Sequence, residues 1–201
     1  MRRHVTLSLT GLLAILAGQL CAQATGMPSF NAPYRAFQRS EFGVVASFPN
    51  SHGTAIEGVY RYAASNFDIG LRGGMFDPGA CCKTELLVGA EARERVITHT
   101  VDFPLDGALV FGAGGALVSG GSVVFIPVGL SLGRRIDPRG STVSIVPYVQ
   151  PTATLVADGG SNLDFTLGLG ADFRFGHTFD ARLSAGLGDL DGVSLAAVWV
   201  H

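Results

Sequence analysis

Residues 163–187 read LDFTLGLGADFRFGHTFDARLSAGL, and this stretch decides the fold. From Leu163 to Phe175 every second residue is apolar, with Asp164, Thr166, Gly168, Gly170, Asp172 and Arg174 between them. After Gly176-His177-Thr178 the alternation resumes, with Phe179, Ala181, Leu183, Ala185 and Leu187 set against Asp180, Arg182, Ser184 and Gly186. Period two is strand geometry, because successive side chains point to opposite faces of a sheet. What remains to be decided is the face that meets water. A soluble barrel holds Leu and Phe inside, whereas a membrane barrel turns them outward and keeps Asp and Arg within.

Composition favours the second. The 201 residues are 47% hydrophobic and 15% charged, with 28 glycines and a mean hydropathy of +0.36. Soluble domains carry about 25% charged residues. A helical membrane protein shows such apolarity as runs of about 20 residues, and beyond the N-terminus the sequence has none.

The N-terminus has the pattern of a secretory signal peptide. Arg2 and Arg3 precede VTLSLTGLLAILAG, and LCAQA follows with small residues before cleavage after Ala22 or Ala24. Residues 1–24 are therefore set apart from the fold. Residues 25–39, TGMPSFNAPYRAFQR, read as an irregular periplasmic lead-in, and 40–201 as the barrel. Removing Arg2 and Arg3 leaves 12 basic against 16 acidic residues, a net −4, with no basic patch for nucleic acid. Cys81 and Cys82 are adjacent in FDPGACCKTE, a spacing that strains a disulfide and lacks the further ligands of a metal site.

Ten strands are predicted near 40–48, 54–63, 66–76, 84–96, 106–118, 121–133, 141–156, 162–175, 179–187 and 192–200, each bounded by turn residues. Eight is the alternative, depending on Val96–Leu105. Short connections make an antiparallel up-and-down meander, and an apolar meander closes because an open edge in lipid leaves backbone groups unpaired. The expected fold is an all-β transmembrane barrel with both chain ends on one side.

Two hairpins carry matched charges. A turn at Ala64-Ser65 sets Arg61 opposite Asp68 and Glu57 opposite Arg72, with Tyr62 against Phe67 and Tyr60 against Ile69. A three-residue turn about His177 sets Arg174 opposite Asp180 and Asp172 opposite Arg182. A lipid-facing charge near the midplane costs about 2–4 kcal/mol, so these eight residues are assigned to the lumen. The same parity sends Glu41, Glu85, Glu91, Arg93, Arg95 and Asp164 inward. It sends Phe42, Tyr60, Leu71, Phe111 and Trp199 outward.

On these features the chain resembles the small bacterial outer-membrane β-barrel proteins of the OmpA/OmpW-like and opacity-type group. The resemblance rests on the export signal, alternating hairpins such as DFTLGLGADFRFGHTFDARLSAGLG, and the terminal strand VSLAAVWVH. It implies insertion in the outer-membrane bilayer with help from the barrel assembly machinery. It also implies roles in envelope stability, adhesion or small-solute passage. One departure is the end of the chain: His201 stands where the family carries an aromatic residue, with Trp199 two places earlier.

Catalytic readings find little support. His52 falls in the first outer loop, and Asp189 and Asp191 in the last, which closes beside it. Loop His and Asp are turn residues by default. No histidine is followed by a serine at the spacing of a deacylase element. Gly112–Gly121 lacks the Lys-Ser/Thr of a phosphate loop. No metal or cofactor cluster is evident, so the expectation is a monomeric, non-enzymatic barrel with a salt-bridged lumen. A narrow passive channel is the alternative. A soluble exported barrel, with Leu163, Leu167 and Phe173 inside, ranks lower, as does a barrel hydrolase.

Overall fold

The computed structural model describes residues 24–33, 39–79, 82–118 and 121–201. Ten strands follow in chain order: β1 (Glu41–Pro49), β2 (Thr54–Ala64), β3 (Phe67–Asp77), β4 (Glu85–Ile97), β5 (Asp106–Val118), β6 (Gly121–Gly133), β7 (Val143–Ala157), β8 (Ser161–Phe175), β9 (Phe179–Gly188) and β10 (Gly192–Val200). Each pairs antiparallel with its chain neighbours, and β1 pairs with β10 from Glu41↔Val200 to Pro49↔Gly192. The sheet is a closed barrel of ten strands, so the eight-stranded alternative falls. Residues 98–105 connect β4 to β5, and neither merge nor split them.

Because the strand number is even, residues 39–40 and His201 lie at the same end as the β2–β3 and β8–β9 turns. At that end Val200 donates its N–H to Thr178 O, and His201 donates its own to Ser40 O. The expected signal peptide lies outside the described residues, Ala24 excepted.

Alternation along each strand separates two very different surfaces. In β3, Phe67, Ile69 and Leu71 are 46, 45 and 59% exposed, while the interleaved Asp68 and Arg72 are 0 and 8% exposed. Apolar side chains cover the outside and ionised ones fill the inside, the inverse of a water-soluble protein. The soluble-barrel expectation fails here: Leu163 and Leu167 point outward, and Asp172 and Arg174 are buried. An exterior of this kind is matched to hydrocarbon.

One end of that exterior carries aromatic rings. Phe42 stacks on Trp199 at 5.9 Å, Phe179 meets Trp199 edge-on at 5.5 Å, and Phe175 lies 5.8 Å from Phe179. The imidazole of His201 joins the row, 5.9 Å from Phe42 and 6.1 Å from Tyr60. Amphipathic rings at one level suit a membrane–water interface, the girdle position of a spanning barrel.

The two diagnostic hairpins differ in how well their register was anticipated. Around Gly176-His177-Thr178, Phe175 pairs with Phe179, Arg174 with Asp180 and Asp172 with Arg182, as expected. The β2–β3 hairpin is shifted by two. Its turn is Ser65-Asn66, with Ser65 at φ 69°, so Ala64 pairs with Phe67, Ala63 with Asp68, Arg61 with Gly70 and Glu57 with Gly74. The apolar partners move likewise, to Tyr62↔Ile69 and Tyr60↔Leu71. A shift of two leaves every side chain on its own face, so Arg61 and Arg72 reach their carboxylates diagonally. Glycine opposite makes room: a Cβ on Gly70 would sit 2.9 Å from Arg61 Cζ.

A substitution on the outer face tests this orientation. Leu71→Arg places a cation near the middle of β3, and the urea midpoint of the reconstituted barrel should fall by an amount equivalent to about 2–4 kcal/mol. Leu71→Val should leave it nearly unchanged; equal, small effects of both would place this face in water.

Candidate functional site: a charged lumen and its plug

Six of the ten strands, β1–β4, β8 and β9, send inward the charges of one connected network, while Asp106 of β5 is buried apart from it. Asp68 accepts from Arg61 Nη1 at 2.6 Å and from Arg93 Nη2 at 2.9 Å. Arg61 Nη2 also donates to Glu91 at 2.8 Å. Arg72 grips Glu57 with two bonds of 2.6 and 3.1 Å and reaches Glu91 at 3.3 Å. On the other hairpin Arg182 grips Glu41 with bonds of 2.6 and 2.9 Å, and lies 3.3 Å from both Asp172 and Asp180. Arg174 approaches Asp180 at 3.9 Å.

Glu41 couples the two halves, since its Oε1 also lies 3.6 Å from Arg61 Nε. The eight residues singled out from the sequence therefore lie together, joined by Glu41, Glu91 and Arg93. Face parity puts these three inside, but nothing local signals their role. Glu41 of β1 meets Arg182 of β9 only because the barrel closes through β10. Of the other residues assigned inward, Glu85 and Asp164 are half-buried. Arg95 is exposed and donates to Asn66 Oδ1 at 3.3 Å, a departure from the expected lumen position. It sits beside a register shift between Arg95 and Ile97.

The opposite wall, β5 to β7, is lined by small and neutral residues such as Ala108, Gly112, Gly114, Ser131, Thr152 and Thr154. Ten strands enclose more space than eight, and eight already suffice for side chains to fill. The chain fills the surplus with its own residues 24–33. Expected as a lead-in outside the barrel, the described part of this segment runs inside it: Ala24 and Thr25 are fully buried and Phe30 is 2% exposed.

Met27 packs with Ala55, Leu87, Ala116, Phe125 and Val156 toward the end distant from the termini. Phe30 packs with Val146, Tyr148 and Leu190. Leu190 comes from the β9–β10 loop, tucked inward between Gly188 (φ 115°) and Gly192 (φ 139°), where its N–H donates to Thr166 Oγ1 at 3.0 Å. A cavity of about 20 Å³ remains between Phe30, Asn31 and the charged wall, room for about one water.

Three inward glycines are cut to this segment. A Cβ on Gly168 would lie 2.5 Å from the Phe30 ring, one on Gly114 would overlap Ala24 O, and one on Gly89 would lie 3.0 Å from Ala24 Cβ.

At the termini end, Asp106 accepts from both the N–H and Nδ1 of His99 at 3.0 Å. Asp137 is hydrogen-bonded by Ser144 and by Arg135, and these bonds hold its carboxyl below the usual carboxylate range. At the distant end, the residues weighed for hydrolytic chemistry serve turns. Asp191 accepts from Asn50 Nδ2 at 2.8 Å, Asp189 accepts the Phe165 N–H at 2.6 Å, and the exposed His52 has φ 78°. Cys82 is exposed, and Cys81 lies outside the described residues.

No family model matches the chain, and no curated protein matches it either. Among solved structures it is similar to one from the de novo design of transmembrane β-barrels, at 14% identity and a TM-score of 0.40, covering 86% of this chain and 98% of that one. It is also similar to the β-domain of the Bordetella autotransporter BrkA, at 12% identity and a TM-score of 0.42, covering 81% and 97%. At these identities and scores neither likeness bears on what this chain does.

Arg182 engages three carboxylates of the lumen. Arg182→Ala removes that cation from Glu41, Asp172 and Asp180 in a nearly dry interior and should cost about 3–5 kcal/mol of stability in equilibrium unfolding. Arg182→Lys should recover only part of this, because a single ammonium cannot reproduce the two-pronged grip on Glu41.

Proposed function

We propose that this protein is an exported resident of the bacterial outer membrane, with a structural or interaction role and a lumen closed by its own residues. The observation that carries this reading is the inverted barrel filled jointly by the ion-pair network and residues 24–33. Apolar side chains belt the outside, and aromatic rings gather at the end where β1 begins and β10 ends. That end is assigned to the periplasm. The terminal strand β10, with Trp199 turned outward, is the segment the barrel assembly machinery would engage. The interior is built for closure rather than catalysis, and the barrel is taken as a monomer.

The second reading, a narrow passive channel for small solutes, draws on one observation. Residues 24–33 are held in place by hydrogen bonds and apolar packing, so they can be displaced. Reconstitution in planar bilayers separates the two. A closed barrel gives no ohmic current in molar salt, whereas a steady conductance from the unmodified protein establishes the channel and overturns the closed reading.

A further inference from the structure

Residues 24–33 lie in the lumen as a bound peptide lies in a receptor, turned at Gly26 (φ 74°) and again where the Ser29 N–H donates to Met27 O at 2.7 Å. The barrel holds the segment chiefly by its main chain. Ser184 Oγ donates to Pro28 O at 3.3 Å and accepts the Phe30 N–H at 3.2 Å. Tyr148 Oη donates to Phe30 O at 2.9 Å, Ser131 Oγ to Asn31 O at 2.8 Å, and Arg93 Nη1 to Ala32 O at 2.8 Å. These groups come from four different strands, β9, β7, β6 and β4, and converge on four residues, Pro28, Phe30, Asn31 and Ala32. Ser194 braces the arrangement through a 2.7 Å bond to Ser184 Oγ.

Two side chains are read as well as the main chain. Met27 enters a socket of Leu87, Ala116, Phe125 and Val156, and Phe30, three residues on, enters one floored by Gly168. The Asn31 amide oxygen accepts from Arg182 Nη1 at 3.2 Å. Main-chain bonds for affinity and side-chain pockets for selectivity are the means by which proteins recognise bound peptide segments.

We infer that the lumen is a peptide-binding site, with residues 24–33 as its intramolecular occupant. Its ligand class is an uncharged peptide, turned as residues 24–33 are, with a flexible apolar residue, an aromatic residue three positions later and small residues around them. The inference is independent of whether the lumen conducts. A tethered occupant competes at an effective concentration of the order of millimolar, so a peptide supplied in trans binds well only when the tethered segment is weakened.

The probe is a fluorescent decapeptide, ATGMPSFNAP, with a second version in which its Phe is Ala. The full-length barrel in detergent carries Phe30→Ala, and its folded state is scored by heat-modifiable mobility. It should bind the probe saturably, at least tenfold more tightly than wild type does and at least tenfold more tightly than it binds the Phe-to-Ala probe. Adding Gly168→Leu to this variant fills the aromatic socket and should abolish binding. A measurement on the unmodified chain gives an independent reading. Millimolar probe should speed thermolysin cleavage within residues 25–30 several-fold, followed by mass spectrometry, and the Phe-to-Ala probe should not. Equal binding of both probes to the folded variant, or a cleavage rate indifferent to the probe, overturns the inference.

Discussion

Eleven of the twelve buried charged side chains among the described residues form one network with a cavity of only about 20 Å³ beside it, and the architecture answers to that constraint. A charge withdrawn from water is costly unless paired and hydrogen-bonded. Here six carboxylates meet five guanidiniums, and arginine's fork lets one cation serve two or three acids at once. Such pairs are poor evidence of net stabilisation, because desolvation offsets their attraction. Their consequence is specificity. A register in which Arg182 missed Glu41, or Arg72 missed Glu57, would strand an ion, so the network selects one arrangement of β1–β4 and β8–β10.

The other half of the lumen solves a packing problem instead of an electrostatic one. On β5–β7 the inward residues are small or neutral except Asp106 at the start of β5, and a ten-stranded perimeter leaves more volume than they occupy. Residues 24–33 take up that volume, and Leu190 folds in from the β9–β10 loop to meet Phe30. Glycines at 89, 114 and 168 appear as strand interruptions in the sequence, yet each lies where a Cβ would collide with the segment. Their absence of side chains is the complement of another part of the same chain.

Much of this was legible without coordinates. Strand positions followed from period-two alternation and turn residues. The β8–β9 register followed from a three-residue turn whose glycine takes φ 61°. The β2–β3 register did not follow, because it depends on Ser65 adopting a left-handed conformation that its residue type does not announce. The resulting shift of two kept both faces intact while turning opposite charge pairs into diagonal ones. Arg95 keeps its regular pairing with Ala108 but stands near the end of β4, where it is exposed and reaches Asn66. The catalytic candidates His52, Asp189 and Asp191 share a rim, as reasoned, and the two carboxylates there accept from Phe165 of β8 and from Asn50 of the β1–β2 turn.

The sequence by itself determined which residues form strands, which face of each is apolar and which charges share the other face, because these depend only on backbone alternation between neighbours. Tertiary structure decided what those charges touch and what fills the space between them. Glu41 and Arg182 are 141 positions apart and meet only when β1 closes against β10. The fate of residues 24–33 depends on the width of a ten-stranded lumen and on glycines spread over β4, β5 and β8. Neither is a property of the segment itself, so its irregular composition reads equally well as an external linker or as a bound peptide until the barrel is closed around it.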